Sequence, residues 1–389
     1  MGVGGSMNIL FKADLSKYVA HRPSVLYWVM QPGADVGGIG MGLVRMIRPW
    51  NEWLIVWGYD INEPAPEVTP EFATGVARQL VGDPELEIEL LSANTWTVND
   101  AYATSLQKGR VFIMGDAAHR HPPSNGLGSN TSIQDSFNLA WKLAAVLKGQ
   151  AGQSLLETYS EERAPIAKQI VTRANQSIGE FGPIFQALGM TGGTDIELIK
   201  KNMDARCDAG PDAEAQRAAL RDAIAFKKYE FDAHGVEMNQ RYRSTAVVTD
   251  GQMEPAFDLD AELHFQPTTW PGARLPHTWV FRGSNGDKIS TLDLCGHGQF
   301  TLLTGIGGEA WKEAAAQVGA EFGMDINVHV IGPRQEYVDH VGDWARASEV
   351  SDTGCILVRP DHHVAWRADE LSEDPKSELT RVMNAILAR

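Results

Sequence analysis

The stretch that decides the fold is residues 109–138, GRVFIMGDAAHRHPPSNGLGSNTSIQDSFN. It opens on a short apolar run, residues 110–114, which predicts a buried strand. Gly115 and Asp116 follow directly, so the pattern places a carboxylate at the carboxyl end of that strand. In open α/β sheets this end of a strand is where ligands bind.

A helix is predicted from about residue 133 to residue 147, beyond a glycine-rich loop. Thr131 and Gln134 have the spacing of a capping box at its start, and Gly149 follows its end. The apolar residues of this segment recur at helical spacing, which predicts an amphipathic helix: Ile133, Phe137, Ala140, Trp141, Ala144 and Leu147.

The two ends of the loop offer different chemistry to a ligand. The Asp116 carboxylate can accept hydrogen bonds from ligand hydroxyls, and Gly126 and Gly128 let the backbone approach a flat group. The N-terminus of the helix stabilises negative charge. Hydroxyl recognition beside an electropositive helix end indicates a reduced flavin. A strand–turn–helix connection whose glycines only turn the chain is the alternative.

Composition restricts the class of protein. The 389 residues carry a formal net charge of −16, which argues against a nucleic-acid or anionic-membrane surface. The three cysteines have no CxxC spacing, and no apolar segment approaches the roughly 18 residues of a membrane span. We therefore expect a cytoplasmic protein without structural disulfides. His119 and His121 lack further ligands at zinc spacing, so no metal site is predicted.

The flanking segments predict an α/β (α+β) fold. Strands expected at residues 24–30, 42–47 and 52–57 form an antiparallel meander, with a helix at residues 70–80. From residue 290 onward, strands and helices alternate as in a small α/β domain.

The order of features in the opening stretch is more specific than any one of them. A strand, Gly-Asp, Ala-Ala-His, Pro-Pro, Gly-x-Gly-x-Asn and an Asn-Leu-Ala-Trp-Lys-Leu helix follow one another. This string resembles the second FAD fingerprint of the FAD-dependent aromatic (phenol) hydroxylases. Residues 14–29 and 359–366 resemble the chlorophenol branch of that family.

The resemblance implies an activity, cofactors and partners. The expected enzyme uses FAD and NADPH to hydroxylate a phenol, chlorinated or not, ortho to its hydroxyl. It does so with O₂ through a flavin C4a-hydroperoxide. A homodimer is implied as well, without nucleic-acid or membrane partners. The implied domains are a substrate-domain sheet (residues 1–107), the second FAD motif with its helices (108–250) and a thioredoxin-like domain (251–389).

The resemblance also assigns roles to residues of this chain. Gly115 and Asp116 would bind the ribityl or ribose hydroxyls of FAD, and Pro122 and Pro123 would shape the catalytic loop beside the isoalloxazine. Tyr27 and Trp57 are candidates for the substrate pocket, although ordinary core packing is the alternative for both. The remaining cofactor-binding residues would offer backbone N–H groups to the pyrimidine edge of the flavin: Gly126, Leu127, Gly128, Ser129, Asn130 and Thr131.

The chain departs from the family pattern in one large respect. Family members begin with a βαβ unit that carries GxGxxG, and residues 2–5 do not have the context of such a fingerprint. The sequence therefore predicts the carboxy-terminal part of such an enzyme, an incomplete FAD and substrate domain followed by the thioredoxin-like domain. The alternative is a non-catalytic truncated remnant whose thioredoxin-like domain serves in assembly.

Overall fold

The first strand, Gly2–Lys12, lies where the sequence analysis assigned no element. In the computed structural model it pairs with two neighbouring strands. Its sequence signal is an alternation: Met7, Ile9 and Phe11 are fully buried on one face. The structure describes residues 2–32, 41–191, 195–283 and 286–389, without the side chain of Val3.

Strands and helices alternate irregularly along the chain. The strands are β1 (Gly2–Lys12), β2 (Leu26–Val29), β3 (Gly42–Arg48), β4 (Glu52–Tyr59), β5 (Glu89–Asn99), β6 (Ala101–Tyr102), β7 (Gln107–Lys108), β8 (Val111–Phe112), β9 (His119–Arg120), β10 (Trp279–Arg282), β11 (Lys288–Ser290), β12 (Phe300–Thr304), β13 (Ile326–Val330), β14 (Tyr337–Val338), β15 (Cys355–Val358) and β16 (Val364–Ala368). The helices are α1 (Ser16–Val19), α2 (Pro70–Val81), α3 (Leu127–Leu147), α4 (Glu157–Gly179), α5 (Gly182–Ala187), α6 (Ile196–Asp204), α7 (Pro211–Phe226), α8 (Lys228–Phe231), α9 (His234–Met238), α10 (Ala310–Phe322), α11 (Asp343–Ala347) and α12 (Pro375–Ile386). Mixed helix and strand content confirms the predicted α/β class. None of the helices in the described ranges is long and apolar enough to cross a membrane.

The chain forms two compact units that interleave along the sequence. The first unit contains residues 1–101, 120–124 and 171–230, and the second contains residues 102–119, 125–170 and 231–389. The predicted boundaries at residues 107 and 250 follow chain order instead, and they stay a prediction.

A five-stranded antiparallel sheet, in the order β2-β3-β4-β1-β5, organises the first unit. The predicted meander is confirmed, since β2 pairs with β3 and β3 with β4. Helix α2 covers one face of this sheet and buries Ala73, Val76 and Leu80 against it. Thr69 Oγ1 accepts a hydrogen bond from Phe72 N (3.2 Å) at the start of α2, and the left-handed Gly82 (φ +80°) ends it.

The second unit contains α3, most of α4 and the carboxy-terminal sheets. Its four-stranded sheet has the order β13-β12-β15-β16. Strands β12 and β13 are parallel and connected by α10, whereas β15 and β16 form an antiparallel hairpin. Helices α10 and α12 contribute to the hydrophobic core of this sheet, for example through Trp311 and Leu379.

The predicted buried strand at residues 110–114 is wrong in extent and in burial. Only Val111–Phe112 is a strand, and β7 is its one partner in the described part of the chain. The side chain of Val111 is 66% exposed and that of Met114 is 46% exposed. An apolar run is buried only where neighbouring strands and a covering layer surround it, and the described residues do not provide that cover here.

Candidate flavin-binding site

The Gly115–Ala117 segment forms a single 3-10 turn with Asp116 exposed on it. Gly115 has φ +58°, a conformation that favours glycine. A Cβ at this position would lie 3.0 Å from Ser132 Oγ, so the turn approaches α3 closely. The glycine before Asp116 therefore serves both the turn and its packing on the helix.

Helix α3 begins earlier than predicted, at Leu127, and its N-cap is Gly126 with φ +65°. No side chain in the described residues caps this end, so the predicted Thr131–Gln134 capping box is wrong. A 3-10 turn, Ser124–Gly126, leads directly into α3. Because the first N–H groups of a helix lack partners within it, the start of α3 is a candidate contact for a ligand.

Asn130 and Thr131 lie one turn inside α3, where backbone N–H groups bond to the preceding turn. The expectation that they donate backbone N–H groups to a ligand is therefore not supported by this helix start. The Asn130 side chain donates to Gly126 O (2.9 Å), and the Thr131 side chain is buried. A direct cofactor contact of either residue stays a prediction.

The carboxylate of Asp135, buried on α3, connects three segments around the candidate site. It accepts hydrogen bonds from Gly115 N (3.1 Å) and from Arg163 Nε (2.7 Å). His119 Nε2 lies 2.8 Å from the same carboxylate. The Asp116 turn and α3 are thereby held together by one side chain.

Arg163 is the buried counter-charge of Asp135. Its guanidinium also donates to Thr131 O (3.3 Å), Gln240 Oε1 (3.2 Å) and the Tyr242 hydroxyl (3.1 Å). This cluster is not among the predicted site residues. A signal for it existed, because the polar residues Asp135, Asn138 and Lys142 share one face of α3 at helical spacing.

A second buried charge cluster lies further along α3 and is centred on Glu162 and Arg359. Two guanidinium nitrogens of Arg359 donate to the two oxygens of Glu162 (2.6 and 2.8 Å). Arg359 also donates to both oxygens of Asp361 (3.0 and 2.6 Å), and Lys142 Nζ donates to Glu162 (2.7 Å). All four charged groups are almost completely buried.

Burial and neighbouring positive charge have opposite effects on the carboxyl pKa values of this cluster. Burial alone would raise the pKa of Glu162, but the charges of Arg359 and Lys142 hold that pKa well below its usual range. Burial acts against ionisation of Asp361 in the same way, and the Arg359 charge outweighs it, so the pKa of Asp361 is lowered. Burial lowers the pKa of Lys142 to about 8, so this amine stays protonated throughout the acid range.

We expect the stability of this chain to fall as the pH falls. Carboxylates with lowered folded-state pKa values bind fewer protons than in the unfolded chain, whose Glu162 and Asp361 titrate near 4.5 and 3.8. Burial also lowers the pKa of His363 from 6.5, which acts in the same direction. Lys142, whose pKa is lowered from 10.5 to about 8, gives its loss above neutral pH. The loss from the histidine and the carboxylates should begin near pH 6.5 and steepen below about pH 4.5. Urea midpoints measured from pH 8 to pH 4 test this, and a constant midpoint would contradict it.

Pro122 and Pro123 belong to the 120–124 segment of the first unit, whereas Asp116 and α3 belong to the second. Pro122 is buried and Pro123 is exposed. Their placement beside a flavin stays a prediction.

Tyr27 and Trp57, the predicted pocket residues, both lie in the first unit. The Tyr27 hydroxyl accepts from Ser24 N (2.7 Å) and donates to Arg22 O (2.9 Å). Trp57 is 3% exposed and packs in the core under α2. Its indole N–H is buried without a hydrogen-bond partner among the described residues. Core packing accounts for most contacts of these two residues, and a substrate role stays a prediction.

Cys295 and Cys355 are buried, as expected for thiols that fill space. Burial raises the pKa of each of these thiols, which keeps both protonated at neutral pH.

Comparison with known proteins indicates the family of this chain. Residues 1–174 match the model of an FAD binding domain, and residues 268–389 match that of the aromatic-ring hydroxylase C-terminal domain. The chain is 57% identical over 389 residues to 2,4-dichlorophenol 6-monooxygenase of Cupriavidus pinatubonensis, covering 100% of this chain and 65% of that protein. It is 52% identical over 384 residues to phenol 2-monooxygenase of a Pseudomonas species, covering 98% of this chain and 62% of that protein.

A solved structure is similar over the same extent. The flavin-dependent monooxygenase PieE, in complex with FAD and substrate, superimposes with a TM-score of 0.91 at 42% identity. The match covers 100% of this chain and 66% of PieE.

The fold and these matches define a flavoprotein of the hydroxylase class. More narrowly, the chain belongs to the family of FAD-dependent aromatic-ring hydroxylases. It spans 65% of the length of the dichlorophenol monooxygenase it matches.

Proposed function

We propose that this chain takes part in hydroxylating a phenol, chlorinated or not, ortho to its hydroxyl, with FAD, NADPH and O₂. Sequence identity of 57% over the whole chain to a dichlorophenol monooxygenase carries the proposal. The names of two relatives, which act on a dichlorophenol and on phenol, support a single-ring phenolic substrate.

The residues of the second unit fit the ribityl and isoalloxazine parts of FAD. Asp116 is exposed on its turn, so its carboxylate is accessible to sugar-alcohol hydroxyls. No described side chain caps the N-terminus of α3, and a Cβ on Gly126 would meet no atom within 4 Å. A flat group can therefore approach the backbone at the start of α3.

Bound FAD would supply the oxygen-activating chemistry, and the protein supplies binding and electrostatics. The partial positive charge at the start of α3 stabilises an anionic ring placed against it. Asp116 orients the cofactor through its hydroxyls. Asp116 and the start of α3 thus lie at opposite ends of the 115–131 segment and would contact different parts of the cofactor.

For the substrate, we propose pocket residues on the five-stranded sheet of the first unit. The buried indole N–H of Trp57 has no described partner, and a phenol oxygen is a group that could accept its hydrogen bond. Tyr27 on the neighbouring strand β2 would add aromatic surface.

The carboxy-terminal sheet is proposed to be a thioredoxin-like domain. Its βαβ unit, following hairpin and final helix α12 have the order expected of that fold. Without a CxxC motif, this domain would serve in packing or in formation of a homodimer rather than in redox chemistry.

Asp116→Ala is expected to weaken FAD binding about tenfold to a hundredfold, because charged hydrogen bonds to ligand hydroxyls contribute about 1.5–3 kcal/mol. Titration of FAD fluorescence against purified chain measures this. Asp325→Ala, at another exposed aspartate of the second unit, is the matched control and should bind FAD like the wild type. Equal affinities of both variants would remove Asp116 from the site.

The activity itself is tested by supplying the chain with FAD, NADPH, phenol or 2,4-dichlorophenol, and labelled O₂. One labelled oxygen atom in the ortho position of the product supports the proposal. Chain that stays colourless after saturation with FAD and desalting would contradict it and favour a non-catalytic role.

A further inference from the structure

We propose that Asp135 is a positioning residue that holds the Asp116 turn in register with the N-terminus of α3. The inference rests on the proposed function, because it concerns how the two parts of the flavin site are aligned.

The first argument is the set of partners around one carboxylate. Asp135 is 1% exposed. Its Oδ2 accepts from Gly115 N (3.1 Å) and lies 2.8 Å from His119 Nε2. These two partners stand immediately before and three residues after Asp116, so Asp135 holds the turn from both sides. Asp135 itself is on α3, the helix that presents the ligand-facing N–H groups.

The second argument is the charge of Arg163 on the other carboxylate oxygen. Arg163 Nε donates to Asp135 Oδ1 at 2.7 Å, and the same guanidinium donates to Thr131 O in the first turns of α3. Arg163 is fully buried, so a neutral partner would leave its charge without compensation. The pair therefore fixes the orientation of the carboxylate as well as its charge.

The third argument is the tight fit between the turn and the helix. Gly115 has φ +58°, and a Cβ there would approach Ser132 Oγ to 3.0 Å. With so little space, losing the carboxylate contact should displace the turn along α3 rather than towards it. A displacement of about 1 Å in a binding geometry is enough to change rates as much as a hundredfold.

The decisive experiment compares Asp135→Asn with Gln240→Leu in the same FAD titration. The amide of Asp135→Asn keeps the size of the side chain but offers only one acceptor oxygen to three donors. Gln240→Leu disturbs the same buried cluster on the far side of Arg163 without touching the Asp135–Gly115 contact. It therefore reports what lost stability alone does to FAD binding.

We expect Asp135→Asn to weaken FAD binding at least about tenfold and to shift the flavin reduction potential. Gln240→Leu should keep the wild-type affinity and potential despite a lower unfolding midpoint. A purely structural role predicts that both variants lose affinity in proportion to stability, and that result would overturn the inference. Wild-type affinity in Asp135→Asn would overturn it as well.

Arg163→Lys covers the case in which Asp135→Asn does not fold. It retains a positive charge beside Asp135 but cannot reach Thr131 O, Gln240 and Tyr242 together. Weaker FAD binding and a shifted potential in this variant support the inference, and wild-type values of both overturn it. If the wild-type chain itself binds no FAD, the proposed function fails instead, and the two failures are thereby distinguished.

Discussion

Arg359→Met is expected to lower the free energy of unfolding by about 3–5 kcal/mol, the usual cost of removing one partner from a buried charge cluster. The guanidinium compensates both Glu162 and Asp361, whose carboxylates accept four hydrogen bonds from it. After the substitution, the positive charge of Lys142 is the only one that would remain beside Glu162 among the described residues. Urea denaturation followed by circular dichroism measures the change.

Arg346→Met is the matched control, since Arg346 also pairs with an aspartate, Asp343, in the second unit. Both members of that pair are exposed, with 68% and 47% of their side chains accessible. Such pairs contribute about 0–1 kcal/mol, so the control should unfold nearly like the wild type. Equal losses in the two variants would show that burial of the Arg359 cluster has no special cost.

Gly272→Ala is expected to have the second largest effect, a loss of about 2–5 kcal/mol from backbone strain and overpacking together. Gly272 has φ +97°, and a Cβ would lie 2.2 Å from Tyr242 O. The backbone cannot withdraw easily, because Gly272 N donates to Val364 O and Tyr242 N donates to Gly272 O, each at 2.8 Å. The unfolding midpoint in urea is the measurement.

Gly298→Ala separates the cost of backbone strain from the cost of overpacking. Gly298 has φ +78°, but a Cβ there would meet no atom within 4 Å. Only the left-handed conformation is then penalised, by about 1–2 kcal/mol. A loss in Gly272→Ala no larger than in Gly298→Ala would mean that the close approach to Tyr242 relaxes at no cost.

Local patterns predicted much of the fold. The meander, the Pro70–Val81 helix and the alternation of strands and helices after residue 290 follow from periodicity and from turn and cap residues. Strand Gly2–Lys12 was missed because its three glycines conceal the alternation of Met7, Ile9 and Phe11. Glycine weakens strand propensity, but pairing on both sides compensates for it here.

The site was predictable to the extent that it is contiguous in sequence. Gly115, Asp116 and the glycine-rich loop were recognised because they lie within one string of residues. The carboxylate that connects them was not, because its partners Gly115, His119 and Arg163 are 16 to 28 residues away. No local pattern records a contact at that separation.

The sequence by itself determined the family, the α/β class and the position of the candidate flavin loop. Only the tertiary structure decided which face of α3 is buried. Its predicted apolar stripe is largely exposed, with Ile133 66%, Phe137 45% and Leu147 83% accessible, whereas Asp135 and Lys142 are buried. The physical reason is that Arg163 and Glu162 compensate these two charges across the helix interface. A polar face can be buried when partners from distant segments neutralise it, and no local periodicity reveals those partners.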